Sequence, residues 1–338
     1  MQILITGGCG FIGSNAAVRF LELGHNVTVF DNLSRPGARI NLVWLQERPS
    51  FGFVEGDVRD AQQVQDVIGA GKFDVVLHLA AQVAVTTSVT DPRTDFDINI
   101  AGTFNILEAV RLASPETVVL NASTNKVYGK LANVPLEEGA TGYSCPSLPL
   151  GVPETQPLEF YSPYGCSKGA GDQYTMDYSR IYGLRTATLR QSCIYGYRQF
   201  GIEDQGWVAW FIIAQVLGKP ITLYGDGKQV RDVLFIDDLV DLYLKAIDSI
   251  DRIPGQAFNI GGGASNAISL VEFLGILGEI SGRPVEFGHG TWRPGDQLYY
   301  VSDIRKAARE LGWQPAVNAR EGILKLYEWI SINRNLFG

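Results

Sequence analysis

The chain has 338 residues, 46% of them apolar and 19% charged, with a net charge of −8. This is the composition of a globular protein, too acidic for a general binder of nucleic acid or of an anionic membrane surface. No apolar run approaches the ~20 residues of a membrane-spanning helix, the first strand pattern leaves no room for a signal peptide, and Cys9, Cys145, Cys166 and Cys193 lack CxxC spacing and partner histidines; a cytoplasmic protein with reduced thiols and no metal site is expected.

In chain order, the β-branched run Gln2–Thr6 predicts a strand, and apolar periodicity over 11–23 predicts a helix ended by Gly24. Further strands are expected at Asn26–Asp31, Phe51–Glu55, 75–80 and 117–123, with helices at 61–68 and 95–113. Strands that are near-continuous in Val, Ile and Leu, separated by helices, indicate a parallel sheet covered on both faces. The expected fold class is therefore α/β, a doubly wound sheet of the Rossmann kind, with a smaller C-terminal mixed domain. From 129 to 162 the periodicity lapses into a stretch with five prolines at 135, 146, 149, 153 and 157. A loop of that length is often functional. A helix over 163–182 and a strand over 185–191 follow. Beyond them, helices are expected at 205–217, 237–247, 269–281, 303–311 and Ala319–Ile332, and extended segments at 220–224 and 230–236. The expected division is a dinucleotide domain over 1–191, rejoined by a segment around 229–259, and a substrate domain over 192–338.

Gly7, Gly10, Phe11, Ile12 and Gly13 occupy the turn between the first strand and the first helix. Glycines there permit a tight turn and let backbone N–H groups approach a pyrophosphate at the helix N-terminus. Asp31, followed by Asn32, ends the second strand, where a carboxylate can accept both adenosine ribose hydroxyls and repel a 2′-phosphate. NAD is therefore expected rather than NADP, with Arg35 the one nearby argument for the phosphate. Asp57 and Val58 end the third strand and could meet the adenine edge, or Asp57 could cap the next helix. Leu79, Ala80 and Ala81 end the fourth, small enough for the backbone to pass close to a cofactor; His78 reads as a buried, hydrogen-bonded histidine.

Tyr164 and Lys168 stand i, i+4 on a predicted helix and share a face. A phenol is a poor base at neutral pH, and a neighbouring ammonium lowers its pKa. Lys168 could also hydrogen-bond the nicotinamide ribose. Ser123 and Thr124 end the fifth strand, where the Thr124 hydroxyl could bond the same substrate oxygen. A catalytic set Thr124/Tyr164/Lys168 behind a dinucleotide loop describes the oxidation and reduction of a hydroxyl-bearing carbon.

These motifs resemble the extended short-chain dehydrogenase/reductases, the group containing nucleotide-sugar epimerases and dehydratases. The likeness runs over nearly the whole chain. It includes the glycine loop, Asn99-Ile100-Ala101-Gly102-Thr103 with Asn99 taken as a strand-end cofactor residue, the catalytic set, Arg231-Asp232 and Arg293-Pro294-Gly295-Asp296. In the 4,6-dehydratases the residues after the catalytic Thr are an Asp-Glu pair; here they are Asn125 and Lys126, which cannot act as a carboxyl acid/base pair. Asn125-Lys126, the run 162–169, Gln205-Gly206-Trp207 and the run 227–232 are similar to the CDP-paratose 2-epimerases, also called CDP-tyvelose epimerases. That resemblance implies a CDP-sugar substrate, inversion at carbon 2 and a place in lipopolysaccharide O-antigen biosynthesis. It also implies a homodimer or homotetramer, with Asn125, Lys126, Gln205, Arg231 and Arg293 on the substrate and the two arginines on its diphosphate. The competing reading of Arg231 and Arg293 is as surface ion pairs with Asp232 and Asp296. Asn259 reads as a turn residue, and Trp207 and Trp210 as core. The alternatives are a UDP-hexose 4-epimerase and, in another class, a non-catalytic NAD-binding sensor.

Overall fold

Alternation along the first strand sorts its side chains between two layers. Ile3 and Ile5 pack with Phe20, Leu239 and Tyr243 on one face, and Leu4 packs with Ile68, Ile106 and Val110 on the other. A strand apolar on both faces is stable only between two helical layers, and its neighbours repeat the pattern. The computed structural model describes residues 1–293 and 296–337. Pro294 and Gly295, within the Arg293–Asp296 motif, and Gly338 lie outside the described residues.

Seven parallel strands form the main sheet: β1 Gln2–Thr6, β2 Asn26–Asp31, β3 Phe51–Glu55, β4 Val75–His78, β5 Val118–Thr124, β6 Thr186–Gln191 and β7 Gln256–Ile260. Their order is β7-β6-β5-β4-β1-β2-β3. The chain reverses direction of travel across the sheet between β1 and β4, and ligands bind at the carboxyl ends of the strands beside such a switch point. The doubly wound α/β expectation holds. The sequence reading did not identify β7 as a strand, nor Ala38–Gln46 as a helix. β7 is set by pairing with β6.

The single helix expected over 95–113 is three pieces. Pro92–Phe96 and Gly102–Ala113 are α-helical, and Asp97–Ala101 between them is a wider π-turn. Asn99 therefore sits inside a helix and not at a strand end. Such π-bulges occur often at functional sites. Elsewhere local signals set the helices: Asp60 caps Ala61–Gly71 through the N–H groups of Gln62 and Gln63, and Ser269 with Glu272 forms a reciprocal capping box on Leu270–Ser281.

The C-terminal part adds short ladders rather than a second large sheet. Val230–Asp232 is flanked by Ala267–Ser269 and Tyr299–Tyr300, and Ile221–Tyr224 pairs with Phe287–Gly290. The proline-rich segment is fastened to this part: Val152 donates to Val301 O at 2.7 Å, and Asp303 donates to Val152 O at 3.0 Å. Asn259, expected at a turn, lies in β7. It accepts from the Tyr128 hydroxyl and donates to Val152 O, tying that segment to the sheet. No described helix is long and apolar enough to cross a membrane.

Candidate functional site

The strand tips open into one cleft of about 740 Å³. Every sequence-predicted site residue except Asn99 lines it. Among the described residues none from 129 to 161 does, so the long segment packs outside the cleft lining.

At the dinucleotide end the glycines stand where backbones almost touch. A Cβ on Gly7, whose φ is +70°, would lie 2.7 Å from Ala80 N, and one on Gly13 would lie 2.5 Å from Gly7 O. Any side chain would therefore occupy the cradle or push the loop open. The helix Phe11–Glu22 begins there with no side-chain cap and no acid in its first turn, leaving its N–H groups for an anion. Asp31 accepts from Cys9 N at 2.9 Å through one oxygen and from Leu33 N at 2.8 Å through the other. Its carboxylate is fixed by backbone, and each oxygen keeps a free lone pair for a ribose hydroxyl. Asp57 is not a helix cap, since Asp60 is. It is held by Arg59 at 2.7 Å and by Asn32 at 2.8 Å, which keep its carboxyl down at about 2. Arg35, the candidate cation for a 2′-phosphate, instead donates to Gln205 across the cleft mouth.

Asn99 lies behind the wall. Its amide donates to Gln82 O, Asp95 Oδ1 and Ser167 Oγ, and its carbonyl accepts from Gln82 N. It therefore fixes the loop after β4 against the Tyr164 helix instead of facing the cleft. His78 is buried between the hydroxyls of Thr6, at 2.7 Å, and Thr103, at 3.1 Å, and burial brings its pKa down to about 3, a neutral structural histidine as expected.

Tyr164 and Lys168 lie on the helix Ser162–Tyr182, whose first turn is anchored by Tyr164 N donating to Ser88 Oγ at 3.1 Å. Burial pushes the Tyr164 phenol up to about 12; the Thr124 hydroxyl pulls it partly back and the Asp95 charge adds to the rise. Burial also brings Lys168 down to about 8, against the pull of Asp172 and Asp95. The ammonium donates to Ala122 O at 2.5 Å. Among the described residues no hydrogen bond joins it to Tyr164, so the expected lowering of the phenol's pKa by Lys168 is absent from this state. Ser123 lines the cleft while its hydroxyl donates to Asp172 Oδ2, which a buried Arg190 grips through both carboxylate oxygens. Removing one member of such a pair typically costs ~3–5 kcal/mol.

At the other end Thr124 donates to Asn125 Oδ1 at 3.3 Å, and Lys126 Nζ donates to Gln297 Oε1 at 3.1 Å. Arg231 is buried and paired with Asp296 at 2.8 Å, not with Asp232. Asp232 serves instead as a fully buried acceptor for Ser192, Gly263 and Ser302. Arg293 pairs with Asp204 at 3.0 Å and lies over the Tyr224 ring. Both arginines face the cleft while engaged by carboxylates. The surface-pair reading had ion pairing right, but both partners differ and the Arg231 pair is buried. Trp207 packs edge-on to Phe211 and Phe273 yet also lines the cleft.

Residues 3–261 match the NAD dependent epimerase/dehydratase family. The chain belongs to this family. It is 46% identical to the CDP-paratose 2-epimerase of Salmonella typhi over 336 residues, covering 98% of this chain and 99% of that one. Among solved structures it resembles the UDP-glucose 4-epimerase of Thermotoga maritima with UDP-glucose, with a TM-score of 0.86, 31% identity and coverage of 99% and 100%. It also resembles the Thermus thermophilus UDP-glucose 4-epimerase in complex with NAD, with a TM-score of 0.83, 32% identity and coverage of 97% and 98%. The cofactor of this NAD-dependent epimerase is NAD, and the residues present fit it. The glycine cradle that a Cβ would fill, the uncapped helix N-terminus and the fixed Asp31 carboxylate suit a pyrophosphate and an unphosphorylated ribose.

Sequence reasoning missed Gln82, Gln191, Cys193 and Tyr224 on the cleft wall. Gln191 and Cys193 end and follow β6, so the strand-tip rule applied to that strand would have found them. Tyr224 arrives through long-range pairing with no local signal.

Proposed function

We propose that this NAD-dependent nucleotide-sugar epimerase inverts carbon 2 of a CDP-3,6-dideoxyhexose, interconverting CDP-paratose and CDP-tyvelose. The observation that carries the reading is the full-length 46% identity to a CDP-paratose 2-epimerase. Support comes from an amide and an ammonium, Asn125 and Lys126, standing on the cleft wall directly after Thr124, where a dehydratase needs carboxyl groups.

The cofactor is held by the backbone of Gly7 and Gly10–Gly13, by Asp31, Asn32, Asp57 and Val58 at the adenosine end, and by Leu79–Ala81, Ser123, Tyr164 and Lys168 nearer the chemistry. When bound it supplies the hydride acceptor and donor for the sugar carbon. Tyr164 takes the proton of the carbon 2 hydroxyl and later returns one. Thr124 donates to the same oxygen and fixes it over Tyr164. Lys168, which bonds the Ala122 carbonyl, turns toward the phenol and the ribose when the site is filled and favours the phenolate by its charge. The planar ketone turns over in the pocket and is reduced from its other face. Arg231 and Arg293 take the diphosphate by exchanging Asp296 and Asp204 for phosphate oxygens, since an acidic protein needs fixed cations there. Gln205, Asn125 and Lys126 seat the sugar. The substrate half is assigned to residues 192–338, and the dinucleotide half to 1–191 with 229–259. A homodimer or homotetramer in the cytoplasm completes the proposal.

A second reading, inversion at carbon 4 of a UDP-hexose, is favoured by the likeness to the UDP-glucose-bound Thermotoga structure. A panel of CDP- and UDP-sugars with NMR assignment of the inverted carbon separates the two. Inversion of a CDP-sugar at carbon 2 is expected; turnover of UDP-hexoses alone would move the assignment.

A further inference from the structure

Gln297 was not among the residues expected at the site, yet it bonds the elements that shape the sugar end. It precedes the strand Tyr299–Tyr300 and is 1% exposed. Its Oε1 accepts from Lys126 Nζ at 3.1 Å and lies 3.5 Å from Asn125 Nδ2. Its Nε2 donates to the Gly129 carbonyl. Its backbone carbonyl accepts from Arg231 at 2.6 Å, and its N–H donates to Asp296 Oδ1 at 3.0 Å. One residue thus joins the turn after β5 to the Arg231–Asp296 pair, across about 170 residues of sequence.

Only an amide satisfies this set of partners. The oxygen must accept from an ammonium while the nitrogen donates to a carbonyl. A carboxylate could not donate to Gly129 O and would neutralise Lys126. An apolar side chain would leave a buried ammonium and a buried carbonyl unpaired. The nearby carboxylate, Asp296, is committed to Arg231, and among the described residues no carboxylate bonds Lys126. The lysine is therefore held in place by a neutral acceptor, with the Asp296 charge acting on it only without direct contact. Burial and the Arg231 charge bring its pKa down to about 8, the state of a cation that gains from an incoming polar ligand.

We propose that Gln297 is a positioning residue for epimerisation, which holds Asn125 and Lys126 against the sugar and keeps the Lys126 charge free for the substrate. This rests on the functional reading above, in that it takes Lys126 to face the sugar. It adds a specificity device that spans both parts of the chain: the residues after Thr124 are aimed from the C-terminal segment. Thr124 is the immediate neighbour of Asn125 and donates to it, so a displaced Asn125 also loosens the hydroxyl that faces Tyr164.

The test is a double-mutant cycle on the NAD-loaded enzyme with Q297M, K126M and the pair, reading kcat and KM with product NMR. Q297M, which keeps length and volume, should lower kcat/KM by ~10-fold, as a buried hydrogen-bonding partner lost from a site does, with bound NAD unchanged. In the K126M background the same substitution should cost less than ~2-fold, because the two act through one contact. Q297E keeps shape and polarity if Q297M fails to fold; it should retain NAD and also be slowed by ~10-fold or more through pairing with Lys126. Independent, additive effects of Q297M and K126M, or a Q297E enzyme at the unmodified rate, would overturn the proposal. The inverted carbon is read in the same spectra. Inversion elsewhere than carbon 2 fails the substrate reading and leaves the coupling to be judged on that substrate, whereas carbon 2 inversion without coupling fails this inference alone.

Discussion

At the dinucleotide end of the cleft, contacts come from backbone and from residues adjacent in sequence. Gly7 to Gly13 form one turn, Asp31 is fixed by N–H groups of Cys9 and Leu33, and Leu79 to Ala81 follow a single strand. At the proposed sugar end the lining side chains are far apart in sequence, Asn125, Lys126, Gln205, Arg231 and Arg293, each already engaged by a protein partner. The first half is a preformed mould. The second is a set of loaded side chains that a ligand must recruit, so its affinity is set by the exchange of partners rather than by contacts alone.

The largest effect that sharpens this contrast belongs to the boundary between the halves. Tyr164→Phe should cut turnover by ~10²–10⁴-fold, the usual worth of a positioned acid/base, while NAD measured in the supernatant of the denatured protein stays at its original stoichiometry. Loss of NAD together with activity would make Tyr164 part of the mould. Thr124→Val should cost ~10²-fold in kcat, as one transition-state hydrogen bond does; a change confined to KM would place it with the substrate contacts instead.

A substitution within the mould should separate the halves in the other direction. Gly13→Ala sets a Cβ 2.5 Å from both Gly7 O and Gly8 Cα. Retention of NAD through gel filtration should weaken by ~10-fold or more, equivalent to ~1.4 kcal/mol, and added NAD should restore turnover. Unaltered retention would mean that the loop yields without cost.

This asymmetry also explains what could be read from the sequence. The mould was legible because its signals are local: a glycine turn after a strand, an acid at the next strand end, Tyr164 and Lys168 one helical turn apart. All of these line the cleft. Asn99 was placed at a strand end by the family resemblance, against the helix that periodicity predicted over 95–113, and the helical reading was the better one. The partners of Arg231 and Arg293 were misassigned because neighbours in sequence were preferred to partners in space; Asp232 points into the core, and Asp296 and Asp204 do the pairing. Gln297 was passed over for the same reason.

A smaller effect probes the recruited half. Asn125→Asp combined with Lys126→Glu should slow epimerisation several-fold without producing any dehydrated sugar, because two carboxylates beside an anionic substrate repel it and leave Gln297 Oε1 without its donors. Unchanged kinetics would reduce this pair to a structural turn.

The central claim is that carbon 2 is oxidised and reduced in place, and the measurement closest to it is epimerisation of CDP-paratose or CDP-tyvelose in D₂O followed by NMR. Inversion at carbon 2 with essentially no deuterium there is predicted, since the carbon's own hydrogen is returned to it and only the hydroxyl proton handled by Tyr164 exchanges with solvent. Deuterium at carbon 2 would contradict the account, because it would require the carbon-bound hydrogen to leave as a proton.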